Sequence, residues 1–307
     1  MSIFKKKKIC ITHSGAFHAD DLFATAVLSI SNNGNIKIIR TRDPKIIPTG
    51  DYIYDVGGIY DVEKNKFDHH QKNGAGTREN GIPYAALGLV WKHFGLTICG
   101  NDSEVWKVIE DKIVTPIDAI DNGVDIIVPK FKDVIPYGIE QPFLIYSPTW
   151  EEENLDIDKI FKEQVSKIIV LLKREISVAR SEVKGKKIIL EAYKKSINKK
   201  IIEIEYSFPR FLYQKVLSSL PEPIYIVYPS GHSEIWKVEA IRKDFSTMDS
   251  RKLLPRSWWG FLGNDPKLKE ISGVKDVLFC HKNGFLSMAG SREGARKLAE
   301  IALSDES

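Results

Sequence analysis

Four of the chain's seven histidines fall in its first quarter, each close to a carboxylate. The stretch THSGAFHADD supplies His13, His18, Asp20 and Asp21; YDVGG supplies Asp55; FDHHQ supplies Asp68, His69 and His70. Imidazoles and carboxylates without a thiolate suit borderline-to-hard divalent ions such as Mn²⁺, Zn²⁺ or Fe²⁺. Two such ions about 3.5–4 Å apart can clamp the attacking and leaving oxygens of an in-line displacement. The expected chemistry is metal-assisted hydrolysis. Asp55 suits the bridging carboxylate, because Gly57 and Gly58 let the backbone turn sharply just after it. His18 and Asp20 are two residues apart on a loop and can face one ion. Asp68, His69 and His70 are contiguous, and an extended segment points alternate side chains opposite ways. One of the two histidines is therefore expected to ligate and the other to donate a proton or contact phosphate. Asp68 can orient a ligating histidine through its second ring nitrogen.

Any one of these His-Asp pairs is as well explained by a capped turn; the set taken together is not. Serine or cysteine nucleophile chemistry has less support. Cys10 falls inside a predicted strand, Ser14 lacks supporting context, and there is no G-x-S-x-G elbow. Cysteines paired at structural-zinc spacing are also missing.

The elements that must position these side chains read as alternating strands and helices. KICIT (Lys8–Thr12), IKIIRT and YIYDV are short β-rich runs, and LFATAVLSI is a helix with Asp20 and Asp21 charging its start. Alternation predicts a mainly parallel sheet, whose ligands gather beyond the carboxyl ends of the strands. His13 and Asp55 fall there. GIPYAALGLVWKHFG predicts a helix, and NDSEVWKVIEDKIVTPIDAIDNG another, bent or interrupted at Pro116. Asp118 and Asp121 share one face of its last turn, where acids oppose the helix dipole and a cation would supply the reason. From Asp156 to about Lys184 apolar residues recur at helical spacing, which predicts a linker helix or a homodimer contact. KKIILEAY, KIIEIEY, IYIVYP, EIWKVEAIR, DVLFCH and GFLSMAG predict strands, and SREGARKLAEIAL a closing helix capped by Ser291.

A chain of 307 residues accommodates two domains, and 43% hydrophobic with 28% charged residues is ordinary globular composition. Cys10, Cys99 and Cys280 are few and far apart, which disfavours a disulfide framework and favours the reducing cytoplasm. The opening MSIFKKKKICITHSGAFHADD makes a poor signal peptide, and no apolar run of about 18 residues predicts a membrane span. Lys5–Lys8 read as a solvated chain start rather than a nucleic-acid contact. Residues 1–150 carry 17 Lys+Arg against 18 Asp+Glu, and residues 151–307 carry 28 against 23. An acidic half that gains cations and a basic half that meets an anion fit a phosphate-ester enzyme.

At THSGAFHADD, YDVGGIYD, FDHHQ and IDAIDNG the chain resembles the DHH phosphoesterase superfamily and, more closely, the melanocyte-proliferating-gene (Myg-type) exonuclease family. YPSG, SRKLLP, the Trp258 stretch, SGVKD, HKNGF and SREGA extend the resemblance over nearly the whole chain. The resemblance implies an α/β protein: a DHH-like domain with a mainly parallel sheet plus a smaller α/β substrate-binding domain. Residues 1–150 would form the metal-binding catalytic domain, 151–184 the linker helix and 185–307 the substrate domain, which would close over the cleft. His13, His18, Asp20, Asp55 and His69 would hold two divalent ions, Mn²⁺ by preference with Mg²⁺ or Zn²⁺ as alternatives, together with Asp118 or Asp121. His18 stands where the superfamily has a carboxylate, and Ala85-Ala86 where the family commonly has serine. Asp55, Asp68 and His70 would be catalytic, His70 as leaving-group acid or phosphate contact. Arg251, Lys252, His281, Ser291 and Arg292 would bind substrate phosphates, the last two at a helix N-terminus. Trp258, Trp259 and Phe285 could stack on a base or pack in the core. The implied activity is a 3′-to-5′ exonuclease acting on RNA or a short oligonucleotide by attack of metal-bound hydroxide. The alternatives are a phosphohydrolase of pyrophosphate or dinucleotides and a non-catalytic metal-binding protein.

Overall fold

The computed structural model describes residues 6–231, 234–263 and 265–306, so Lys5 of the basic opening lies outside the described residues. The chain divides into two compact units, Met1–Arg180 and Ser181–Ser307.

In the first unit, β1 (Lys8–Thr12) leads to α1 (Ala19–Ser31), β2 (Ile36–Arg40), β3 (Tyr52–Tyr54), β4 (Tyr60–Asp61) and β5 (Lys66–Phe67). They form one sheet of order β2-β1-β3-β5-β4, parallel throughout except for β4 at its edge. Strands of a covered parallel sheet are apolar along their length, and Cys10, Ile11, Tyr54 and Phe67 are completely buried. The helices α2 (Ala86–Ile98), α3 (Ser103–Ile109), α4 (Thr115–Asp121) and α5 (Gln141–Leu144) follow. The helix predicted from Gly81 begins only at Ala86, because Pro83 holds the preceding residues extended. The next predicted helix is interrupted as expected near Pro116. Asp102 caps α3 by accepting from the amides of Glu104 and Val105. A π-helical turn over Glu110–Val114 then admits Pro116, which has no N–H to donate, into the first turn of α4.

The helix α6 (Ile157–Lys195) runs for 39 residues and carries the chain across the division between the units. It overturns one expectation: KKIILEAY is the end of this helix and not a strand. The β-branched run looks strand-like in isolation. Within the helix it nevertheless buries Ile189 completely, four residues after the buried Gly185 and on the same helical face.

The second unit contains β6 (Ile201–Glu203), α7 (Arg210–Ser218), β7 (Tyr225–Pro229), β8 (Trp236–Ala240), α8 (Pro266–Ser272), β9 (Val277–Cys280), β10 (Leu286–Ala289) and α9 (Arg292–Ser304). The sheet order is β6-β7-β8-β10-β9, with only β6 and β7 parallel. Alternation sorts its side chains to two cores. Tyr225, Val227, Val238 and Ala289 pack with Leu298, Ala299 and Ala302 of α9. Ile202, Ile226 and Tyr228 pack with Leu212, Tyr213 and Leu217 of α7. Trp258 lies 1% exposed in the α9-side core. No helix among the described residues is long and apolar enough to cross a membrane.

Candidate metal centre

The register of the parallel sheet assembles the site. Ile11 lies opposite Ile53 and Tyr54 opposite Phe67. The residues just beyond these strands, His13, Asp55 and Asp68, therefore emerge in a row at one sheet edge. Asp55 turns out of β3 with a left-handed backbone (φ 54°), a conformation that aspartate tolerates better than most residues, and Gly57 (φ 97°) continues the turn. α1 brings its first turn to the same edge with Asp20 and Asp21, both fully buried. The end of α4 brings Asp121.

Around one imidazole nitrogen, His69 Nε2, stand carboxylate oxygens of Asp121 at 3.3 Å, Asp55 at 3.4 Å and Asp20 at 3.9 Å. His13 Nε2 stands 3.1 Å from Asp55 and 3.2 Å from Asp21. His13 Nδ1 faces the Ser14 carbonyl at 3.2 Å, so Nδ1 carries the proton and the Nε2 lone pair of a neutral ring faces two carboxylates. Such an arrangement requires an additional positive charge, from a proton or a cation. Both oxygens of Asp20, both of Asp55 and Nε2 of His69 are buried without a hydrogen-bond partner in a usable geometry. Buried polar atoms are rarely left unsatisfied, and these converge on one place.

Three sets of donor atoms lie within 4.8 Å of one another: His13, His18 and Asp55; Asp55, His69 and His70; and His18, Asp20 and Asp121. Asp55 belongs to two sets, as a bridging carboxylate would. Each set could hold a metal ion by the oxygen-and-nitrogen chemistry of its donors. The electrostatics agree. Burial and the neighbouring Asp55, Asp121, Asp21 and Asp118 raise the Asp20 carboxyl well above the usual carboxylate range. Burial likewise raises Asp121, against the pull of His69. Burial would also raise Asp55, but His13 and His69 against it bring it down to about 2. The cluster carries more buried carboxylate than its histidines neutralise.

Not every nominated side chain meets this cluster. Asp118, also fully buried, turns away: its oxygens take the Gly88 amide at 3.0 Å and the Arg78 guanidinium at 2.7 Å. Burial pushes it up to about 7 even so. Gly88 is required there, since a Cβ on it would sit 1.8 Å from Asp118 Oδ2. His70 is mostly exposed, and its Nδ1 donates to Asp68 at 2.8 Å. Asp68 also accepts the amides of Gly58 and His70, so it fixes the loop and the ring together.

In the second unit, most nominated phosphate ligands already have partners. Arg251 donates to the carbonyls of Ser218, Pro221 and Pro223, and Lys252 to those of Leu303 and Asp305. Arg292 pairs with Glu203 and Glu205. Ser291 caps α9 through the Gly294 amide, as expected, and donates to Asp276. A Cβ on Gly294 would meet the Asp276 carboxylate at 2.2 Å, so the protein's own acid occupies the predicted anion site at this helix start. His281 remains half-exposed beside Phe285.

Two contributors, Arg40 and Arg78, were missed in the sequence, and a third, Asp21, was named there without its role at His13. Asp21 orients His13 and accepts the His18 amide. The buried Arg40 donates to the Gly15 carbonyl of the same loop and to Asp158. Arg78 ties Asp118 to Glu110. Arg40 ends β2 as His13 follows β1, and that shared position was the available signal.

Fold and site together define a two-unit α/β protein with a carboxylate-imidazole cluster suited to divalent cations. A family model described as an uncharacterised protein family (UPF0160), the MYG1 exonuclease group, matches residues 8–303, and the chain belongs to that family. It is 31% identical to the MYG1 protein of Schizosaccharomyces pombe over 95% of this chain and 96% of that one. It is 30% identical to the MYG1 protein of Dictyostelium discoideum, covering 95% and 94%. The protein named MYG1 exonuclease in Mus musculus is 28% identical, over 95% of this chain and 84% of its own length. No solved structure matches the chain.

Proposed function

We propose that this protein is a metal-dependent phosphodiesterase of the DHH type, a 3′-to-5′ exonuclease acting on RNA. The observation that carries the reading is the convergence of unsatisfied buried atoms of Asp20, Asp55 and His69 at the sheet edge, in a chain whose mouse relative is named an exonuclease. His13, His18, Asp20, Asp55, His69 and Asp121 would hold two divalent ions, Mn²⁺ by preference. Asp118 is left to the Arg78 pair. Bound there, such ions polarise a phosphoryl oxygen and make water nucleophilic near neutral pH.

The remaining roles belong to the chain itself. The Asp68 carboxylate raises the His70 imidazole above its usual pKa, which favours a protonated ring. That ring projects to solvent and would pass a proton to the departing ribose oxygen. Asp21 and the Ser14 carbonyl hold His13 in one orientation. Residues 1–150 would carry the chemistry and 185–307 the substrate contacts, joined by the α6 segment. Contacts from Arg251, Lys252, Ser291 or Arg292 would require these side chains to leave their internal partners. The three cysteines are free and buried, which suits a reducing cytoplasm.

The test is a Mn²⁺-supplemented assay on end-labelled RNA with parallel metal analysis, for the wild type and Asp55→Ala. The expected result is stepwise shortening from the 3′ end by the wild type and none by the variant, whose circular dichroism is unchanged. Full turnover by Asp55→Ala would overturn the reading.

A further inference from the structure

In the second unit, Arg210 is anchored but not used up. Glu239 on β8 is 1% exposed, and its carboxylate receives four donors. Oε1 accepts from Arg210 Nε at 2.5 Å and Gln214 Nε2 at 2.8 Å; Oε2 accepts from the hydroxyls of Tyr213 at 2.7 Å and Tyr228 at 3.0 Å. A buried carboxylate so completely satisfied is rigid. It grips Arg210 by Nε alone. The Arg210 side chain is 38% exposed, its guanidinium carbon lies 4.8 Å from the Phe285 ring centre, and it has no further partner among the described residues. The two terminal nitrogens therefore present an oriented pair of N–H groups, the fork that matches a phosphate.

The same ring carries a second donor. His281 lies 4.4 Å from Phe285, centre to centre, and its Nδ1 accepts the Asn283 amide at 3.1 Å. Accepting at Nδ1 places the proton of the neutral ring on Nε2. Lys237 lies two residues before Glu239, on the same face of β8, and adds positive charge 5.8 Å from the Tyr228 ring. The contrast with the rest of the unit is informative. A cavity of about 790 Å³ is lined by Arg292 and Arg296, but also by Glu203 and Glu205, which already pair with them.

We propose that Arg210 and His281, set around Phe285, form a phosphate-binding subsite that takes a nucleotide phosphate of the substrate strand. The subsite rests on the nuclease reading for its choice of anion, because the fork alone would also accept a carboxylate. Arg210 supplies the bidentate contact and His281 Nε2–H a single one. Glu239, Tyr213, Tyr228 and Gln214 hold the arginine in place without touching the ligand.

The experiment is titration calorimetry of the full chain with adenosine 5′-monophosphate, adenosine and acetate after metal removal by chelation. Without metal the acidic cluster of the first unit repels phosphate. Adenosine 5′-monophosphate should bind, and adenosine and acetate should bind at least about tenfold more weakly. Arg210→Gln keeps a donor for Glu239 but loses the fork, and should weaken the monophosphate by at least about tenfold with an unchanged melting temperature. Should that variant fail to fold, His281→Ala, which leaves the Glu239 network intact, should weaken binding about fivefold. No binding by the wild type, equal binding by the variant that folds, or equal binding of adenosine would overturn the subsite. RNA shortening is scored separately. A wild type that binds the monophosphate through Arg210 yet never shortens RNA sinks the nuclease reading and spares the subsite.

Discussion

His13 Nε2 stands 3.1 Å from Asp55 Oδ2, although the two side chains leave the ends of different strands, which the β1–β3 register sets side by side. In the metal-free protein burial disfavours the His13 imidazolium, but Asp21 and Asp55 overcome it and raise the pKa from 6.5 to about 10. A folded pKa above the unfolded value means that this contribution to stability is complete below 6.5 and is lost as pH rises through about 10. Cation binding needs the neutral ring, so loading near pH 7 must release a proton. We predict a loading enthalpy that varies with the ionisation enthalpy of the buffer, and tighter metal binding at about pH 8.5 than at about pH 6. Buffer-independent enthalpies would remove His13 from the ligand set.

Asp118 and Asp121 are three residues apart and should fail differently when changed. Asp121 meets His69 at 3.3 Å, whereas Asp118 meets Arg78 at 2.7 Å. We predict that Asp121→Asn weakens Mn²⁺ binding by at least about tenfold and leaves the metal-free melting temperature unchanged or slightly raised. Asp118→Ala should bind metal near normally but lose about 2–3 kcal/mol of stability, because it strips a buried guanidinium of one partner. Denaturant titration beside metal analysis separates the two, and an exchange of these phenotypes would reverse the assignment.

The Asp68–His70 pair predicts a kinetic signature without a binding one. His70→Ala should lower kcat by about 10²–10⁴-fold with normal metal content. Asp68→Asn should lower it less and shift the basic limb of the pH–rate profile downward, since the carboxylate is what raises the His70 pKa. A His70→Ala variant with unaltered kcat would show that the ring is only a surface residue.

Gly88 offers a steric test of the packing behind the site. Any Cβ there lies 1.8 Å from Asp118 Oδ2 and 2.5 Å from an Arg78 nitrogen. We predict that Gly88→Ala destabilises the protein by at least about 2 kcal/mol, although alanine is the better helix former. A melting temperature equal to or above the wild type would mean that the Arg78–Asp118 pair moves freely.

The first-unit site was legible because its residues keep characteristic company in sequence: THSGAFHADD and YDVGG each put a ligand-type side chain at the end of a β-rich run, and FDHHQ sets two imidazoles beside a carboxylate. Strand ends are read locally, and parallel pairing then delivers them to one edge. The second unit was legible in its strands, which alternate, but not in its cations. Nothing local distinguishes Arg210, whose outer nitrogens have no partner among the described residues, from Arg251, spent on three carbonyls. KKIILEAY misled for a related reason, because eight residues read alone cannot register the helical spacing of the preceding turns.

What the sequence determined by itself was therefore the chemistry available: which side chains could bind a cation, where helices start, and which runs form strands. Tertiary structure decided which of those side chains are used. Register brought His13, Asp55 and Asp68 into one row, the close approach of α2 committed Asp118 to Arg78, and the buried Glu239 left Arg210 its outer nitrogens. The physical reason is that a polar group's role depends on whether its hydrogen bonds are satisfied. Those partners come from residues tens of positions away, which only folding brings within 3–4 Å.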